Sequence, residues 1–80
     1  MKPIEVVGWE KRTGKKGGVG IYIYGVRDVA ADAEGYMEGE GKEALRLYIN
    51  PEYCKYQPKV GDLIVPVEGR FGIDQIYVVN

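Results

Sequence analysis

The sequence predicts an all-β domain of five short, strongly curved strands, with one short helix between the third and the fourth. Two observations carry that expectation. Runs rich in Val, Ile, Leu and Tyr alternate with a period of two: Val19, Ile21 and Ile23 against Tyr22 and Tyr24, then Leu45, Leu47 and Ile49 against Arg46 and Tyr48. Glycines also lie inside the runs, at Gly8, Gly20 and Gly25, where a curved strand needs a bulge or a bend. Eighty residues hold one core, so residues 1–80 are expected to form a single domain, one that self-association would help to stabilise.

Ile4 to Lys11 is the first strand. Ile4 and Val6 share one face, Val7 and Trp9 share the other, and Gly8 marks a bulge or bend between them. The loop that follows carries Arg12, Lys15 and Lys16 among Gly14, Gly17 and Gly18, and Val19 to Arg27 is the second strand. Asp28 to Lys42, DVAADAEGYMEGEGK, reads as a long acidic loop with an extended ribbon at its base. Val29 to Ala33 permits one helical turn, and Gly35, Gly39 and Gly41 forbid a longer helix. Loops of this length in a small domain are commonly functional, and a solvated connection is the plain alternative.

Glu43 to Asn50 is the third strand, with Leu45, Leu47 and Ile49 pointing in. Asn50 then supplies a helix cap and Pro51 the first helical position, so a short helix is expected from Pro51 to about Tyr56, ended by Pro58. Tyr53 or Cys54 plugs one end of the core. Lys59 to Asp62 turns into a fourth strand, Leu63 to Val67, where Pro66 marks an edge or a bulge. Glu68 to Gly72 connects it to the fifth strand, Ile73 to Val79. This order is that of an OB-fold-like Greek-key barrel. An SH3-like barrel is the rival, and the helix between strands three and four favours the OB-fold.

Composition removes most catalytic chemistry. The chain has no histidine and no serine, and Thr13 is its only threonine, so serine nucleophiles, histidine bases and histidine-containing metal sites are absent. Carboxylates, lysines and tyrosines remain, with no motif that groups them. An enzyme is not expected, nor a metal or any other cofactor. The single Cys54 excludes an internal disulfide and zinc-finger spacing, and reads as a buried, inert thiol. No apolar run is long enough to cross a membrane as a helix, and the first residues lack the pattern of a secretory leader, so a cytoplasmic location is expected.

Charge is polarised along the chain although the total is only −1. Residues 1–27 carry six cations against two carboxylates, and residues 28–45 carry six carboxylates against Lys42 alone. The remainder is balanced. The run GKKGGVG invites a phosphate-loop reading, but it lacks the Gly-Lys-Ser/Thr ending and precedes a strand rather than a helix.

The C-terminal segment YQPKVGDLIVPVEGRFGIDQIYVVN resembles the closing hairpin of the small single-stranded DNA-binding proteins of filamentous phages. The resemblance rests on Tyr56 and Pro58 leading into a strand, on the Phe71-Gly72 turn and on Ile73-Asp74; a basic loop followed by an aromatic strand is similar too. It covers about a third of the chain well. It implies an OB-like barrel, a dimer, and cooperative coating of single strands without sequence preference. The family's loop between strands two and three forms part of a DNA-binding wing, whereas here that loop is acidic and would repel phosphates.

In an OB barrel the exposed face of strands two and three is the usual binding surface. On the alternation above it displays Tyr22, Tyr24, Arg46 and Tyr48, joined by Trp9 from strand one and by Arg70 and Phe71 from the last hairpin. Bases stack on such rings irrespective of sequence. Lys11, Arg12, Lys15, Lys16, Arg27 and Arg46 would track the phosphates. The competing account is that tyrosines suit strands intrinsically and that a lysine-rich turn is merely soluble. The leading expectation is therefore a non-catalytic protein that binds single-stranded DNA, or RNA, as a homodimer or higher oligomer with no membrane partner. The alternative is a small β-barrel module for protein interaction or oligomerisation, with the aromatic face as its interface.

Overall fold

The computed structural model describes residues 3–29, 35 and 38–79. Five antiparallel strands form one sheet: β1 (Ile4–Thr13), β2 (Val19–Asp28), β3 (Lys42–Ile49), β4 (Leu63–Gly69) and β5 (Gly72–Val78), in the order β3-β2-β1-β4-β5. Three strands in succession and a fourth that returns beside the first make a Greek key. All five strands expected from the alternation are present, each within two residues of its expected ends.

The ladder between β1 and β2 runs from Glu5 opposite Val26 to Thr13 opposite Val19, and is interrupted once, between Val6 and Gly8. The bulge anticipated at Gly8 is there, and it reverses the alternation of β1. Below it Val6 lies opposite Gly25; above it Trp9 lies opposite Ile23 and Glu10 opposite Tyr22. Directly opposed residues of an antiparallel ladder project to the same face. The extra residue therefore turns Trp9 and Lys11 to the side of Ile21 and Ile23, and turns Glu10 and Arg12 to the side of the tyrosines.

The inner face holds the core: Ile4, Val6, Ile21, Ile23, Ile49, Cys54 and Ile64, with Leu45, Leu47, Tyr56, Ile73 and Ile76 packed against it. Fully burying one such aliphatic side chain stabilises the fold by about 1.5–3 kcal/mol. Gly25 shows how closely β1 and β2 approach in this core, since a Cβ there would lie 2.3 Å from Ile4 Cγ2. The second half of the sheet is attached narrowly. β4 pairs with β1 only at Ile4–Ile64 and Glu5–Leu63, and then leaves it. Hydrogen bonds from Val6 N to Asp62 O and from Gly61 N to Val6 O, both 2.9 Å, secure that junction. Pro66 pairs with Ile76 on β5, and its missing donor is tolerated because no described strand pairs with it on the other side.

One expectation fails. The segment after β3 is one turn and not a helix: the amides of Tyr53 and Cys54 both donate to Asn50 O at 2.9 Å, Asn50 Oδ1 accepts from Glu52 N at 2.9 Å, and the turn goes no further. Asn50 caps as expected, but Pro58 keeps Gln57 out of the helical region, and too little chain remains to recover the cost of helix nucleation. Cys54, only 2% exposed, is the residue that plugs the core, while Tyr53 points out. The sheet is not closed: β3 and β5 are its two edges, and no ladder joins them among the described residues. An apolar groove of about 530 Å³ lies there, lined by Leu45, Leu47, Val65, Pro66, Val67 and Ile73.

The ribbon expected at the base of the acidic loop is present. Val29 N donates to Gly41 O at 3.0 Å, and Lys42 Nζ donates to Asp28 Oδ1 at 3.0 Å. The helical turn expected up to Ala33 lies outside the described residues. Among the described residues no helix is long and apolar enough to cross a membrane.

Candidate functional site

Toward the turn of the first hairpin, the outer face of β1, β2 and β3 carries three cross-strand rows. Glu10 lies opposite Tyr22 and Tyr22 opposite Tyr48; Gly8 lies opposite Tyr24 and Tyr24 opposite Arg46; Arg12 lies opposite Gly20. Pairing in this register places side chains close enough to touch across strands. The Tyr22 and Tyr48 rings meet with centroids 5.3 Å apart at 47°. Both guanidinium groups bear on Tyr22, Arg12 at 4.8 Å and Arg46 at 5.3 Å from the ring centroid. Tyr48 lies over Gly20, where a Cβ would stand 2.7 Å from its Cε2, so the ring needs that glycine beneath it. Tyr48 is also the ring of this group that solvent reaches best, at 47% exposure, whereas Tyr22 and Tyr24 are half-buried.

Glu10 stands in the middle of this surface. Its Oε1 accepts from Arg12 Nη2 and from the Tyr24 hydroxyl, both at 2.6 Å. The tyrosine hydrogen bond first, and Arg12 after it, hold the Glu10 carboxyl below its ordinary pKa. The same hydrogen bond raises the pKa of Tyr24, because ionising the phenol would set two anions side by side.

Above this surface an open cleft of about 910 Å³ wraps the end of the first hairpin. Trp9, Lys11 and Ile21 line it from the inner face, Arg12, Tyr22 and Tyr48 from the outer, and Lys55, Gln57 and Pro58 form the opposite wall. The turn that closes the hairpin is held by Gly14 N to Gly18 O at 2.7 Å and Gly17 N to Gly14 O at 3.0 Å, with Gly17 at φ 85°. Lys15 and Lys16 project from it, exposed and without an ion pair to any described residue.

The structure thus brings together Arg12, Tyr22, Tyr24, Arg46 and Tyr48, and sets Lys11, Lys15 and Lys16 around the adjoining cleft and turn. Trp9 is displaced from the place expected for it: the bulge puts it on the inner side, where it reaches the cleft at 46% exposure but does not join the tyrosine face. Arg27 is separate altogether. It shares the face of Ile21 and Ile23 at the far end of β2, and its Nε donates to Glu43 Oε1. Arg70 and Phe71 form the tip of the β4–β5 hairpin, with Phe71 exposed at 79% and stacked on Tyr53 at a centroid distance of 6.1 Å. Arg70 lies over that ring at 5.7 Å, giving a second aromatic–cation group.

Two contributors were not expected from the sequence. Tyr53 is one, since a helix after β3 left its partner undefined. Glu10 is the other; a bulge at Gly8, carried through the alternation, places it beside Arg12 among the tyrosines. Comparison with known protein families, with curated proteins and with solved structures finds no match.

Proposed function

We propose that this protein binds single-stranded nucleic acid, DNA in the first instance, without catalysing a reaction on it. The observation that carries the reading is the cross-strand group of Tyr22, Tyr48, Arg12 and Arg46, adjoining a cleft and a turn supplied with Lys11, Lys15 and Lys16. Single-strand binders combine a cationic track for the backbone with aromatic platforms for the bases, each stacked base contributing about 1–3 kcal/mol. Tyr48, Trp9 and the Tyr53–Phe71 pair are the rings open enough to stack. The resemblance of the last hairpin to filamentous-phage single-strand binders supports the same reading.

Joining β3 to β5 would close the order β3-β2-β1-β4-β5 into a five-stranded OB-like barrel, with the tyrosines on its outside. Trp9 reports on the cleft, so its fluorescence titrated with a single-stranded oligonucleotide at two salt concentrations tests the function. Binding at low salt that weakens as salt rises is expected. No binding at low salt, or binding indifferent to salt, overturns the proposal.

A second reading, assembly with further copies of the chain, is favoured by a different observation. Among the described residues the outer edges of β3 and β5 are unpaired, the groove between them is apolar, and Tyr77, Val78 and Val79 at the end of β5 are exposed. Light scattering across a concentration series tests it, and a strict monomer counts against it.

A further inference from the structure

We infer that Glu10 is a built-in competitor for the phosphate of the strand this face binds, its carboxylate already occupying the Arg12 and Tyr24 donors that a phosphate would use. The inference rests on the nucleic-acid reading above and specifies how that site is controlled.

Three features of Glu10 set it apart from an ordinary surface ion pair. It is central, since its strand register places it opposite Tyr22. Two donors of different kinds, a guanidinium and a phenol, converge on one of its oxygens at 2.6 Å each, as they would on a phosphate oxygen. The positive charge of Arg46 also bears on it, as a smaller contribution than Tyr24 and Arg12. The two hydrogen bonds favour its charged form, and a strand that brings a phosphate to Arg12 must push this carboxylate aside or accept its repulsion. Arg12 has further N–H donors beyond the one Glu10 takes, so the guanidinium can exchange one anion for the other without leaving the Tyr22 ring.

Such a device lowers affinity uniformly across sequences, because it acts on the backbone and not on the bases. It also keeps Arg12 folded onto Tyr22 when no strand is bound, which disfavours stray anions such as free phosphate that offer one contact and no stacking.

Glu10→Gln tests the inference, since glutamine keeps the shape and the acceptor while removing the charge. Glu5→Gln is the control: the same unit of charge, on the same strand and the same face opposite Val26, but outside the Arg12–Tyr24 pair. Wild type and both variants are titrated with a single-stranded oligothymidylate at several salt concentrations, after thermal melts establish that each is folded. Glu10→Gln is expected to bind about fivefold more tightly at low salt, the effect of removing a fully solvent-screened unit charge about 4 Å from a phosphate. The slope of log affinity against log salt should steepen by about 0.7, one more phosphate neutralised. Glu5→Gln should change both quantities less. Unchanged or weaker binding by Glu10→Gln overturns the inference, and weaker binding makes Glu10 a positioning residue for Arg12 instead. Equal gains in the two variants overturn it as well, leaving only a general charge effect. If neither wild type nor Glu10→Gln binds, the nucleic-acid reading itself falls and takes the inference with it. If wild type binds and the variant gains nothing, only the inference falls.

Discussion

Ile23 and Tyr24 are neighbours in the chain and face opposite sides of β2. Ile23 is wholly buried among Ile4, Val6, Ile21, Ile49 and Ile64. Tyr24 is half-buried in a polar group, its hydroxyl donating to Glu10 and its cross-strand partner on β3 being Arg46. The inner face is apolar and close-packed, and each residue on it is valuable for its shape. The outer face is held by cross-strand ring, cation and hydrogen-bond contacts that solvent partly reaches. Surface interactions of that kind contribute little to stability. The two faces should therefore respond to substitution in different observables: stability for the inner, binding for the outer.

The largest effect is expected on the inner face. Ile23→Ala should destabilise the fold by about 2–5 kcal/mol, read as a shift in the urea midpoint, because a wholly buried side chain is replaced by a cavity. A loss under about 1 kcal/mol would mean that the core is looser than its burial implies.

A smaller effect is expected where a polar group enters the core side. Tyr56 packs against the core and its hydroxyl donates to Asp62 Oδ2 at 2.7 Å. Burial first, and that hydrogen bond second, raise its pKa from 10 to about 12. In the unfolded chain the phenol ionises first, so the folded state holds more protons in the window between those values and stability falls as pH rises through it. Tyr56→Phe should cost about 1 kcal/mol near neutrality. It should also flatten the alkaline loss, with Tyr24 supplying part of what remains. Unfolding curves at neutral pH and at the alkaline end of that window check both statements; an undiminished alkaline loss in the variant would contradict them.

The smallest effect on stability, and the cleanest on binding, belongs to the two ends of β2. Lys15 and Lys16 at the turn are without ion pairs to described residues, whereas Arg27 at the other end is matched by Glu43 and Lys42 by Asp28. Replacing Lys15 and Lys16 with Gln should change stability by less than about 0.5 kcal/mol and reduce the salt slope of oligonucleotide binding by about 0.7 for each phosphate no longer neutralised. Arg27→Gln should leave that slope where it is. Equal slopes for the two variants would show that the turn is not the phosphate track.

How much of this was legible follows from where the information lies. The alternation of β2 and β3 assigns every buried and exposed side chain on those strands correctly, because a strand's period of two is local and needs no partner. By the same rule Arg27 falls on the inner side, opposite Glu43. For β1 the bulge at Gly8 could be anticipated, but the reversal it imposes on Trp9, Glu10 and Arg12 follows only if the extra residue is counted through, and which residue is extra is decided by pairing with β2. After β3, the cap at Asn50 was readable from its side chain, whereas the length of the turn depended on the pull of Cys54 into the core against the cost of extending a helix.

The sequence by itself determined the all-β class, the five strands, the polarity of charge along the chain and the two sides of β2 and β3, since each is set by neighbours within a few residues. Only the tertiary structure decided that the β4–β1 ladder is just two residue pairs long, that no ladder joins β3 to β5 among the described residues, beside an apolar groove, and that a carboxylate stands at the centre of the tyrosine face. Those outcomes turn on register and on contacts between residues far apart in the chain, where small differences in packing outweigh local preference.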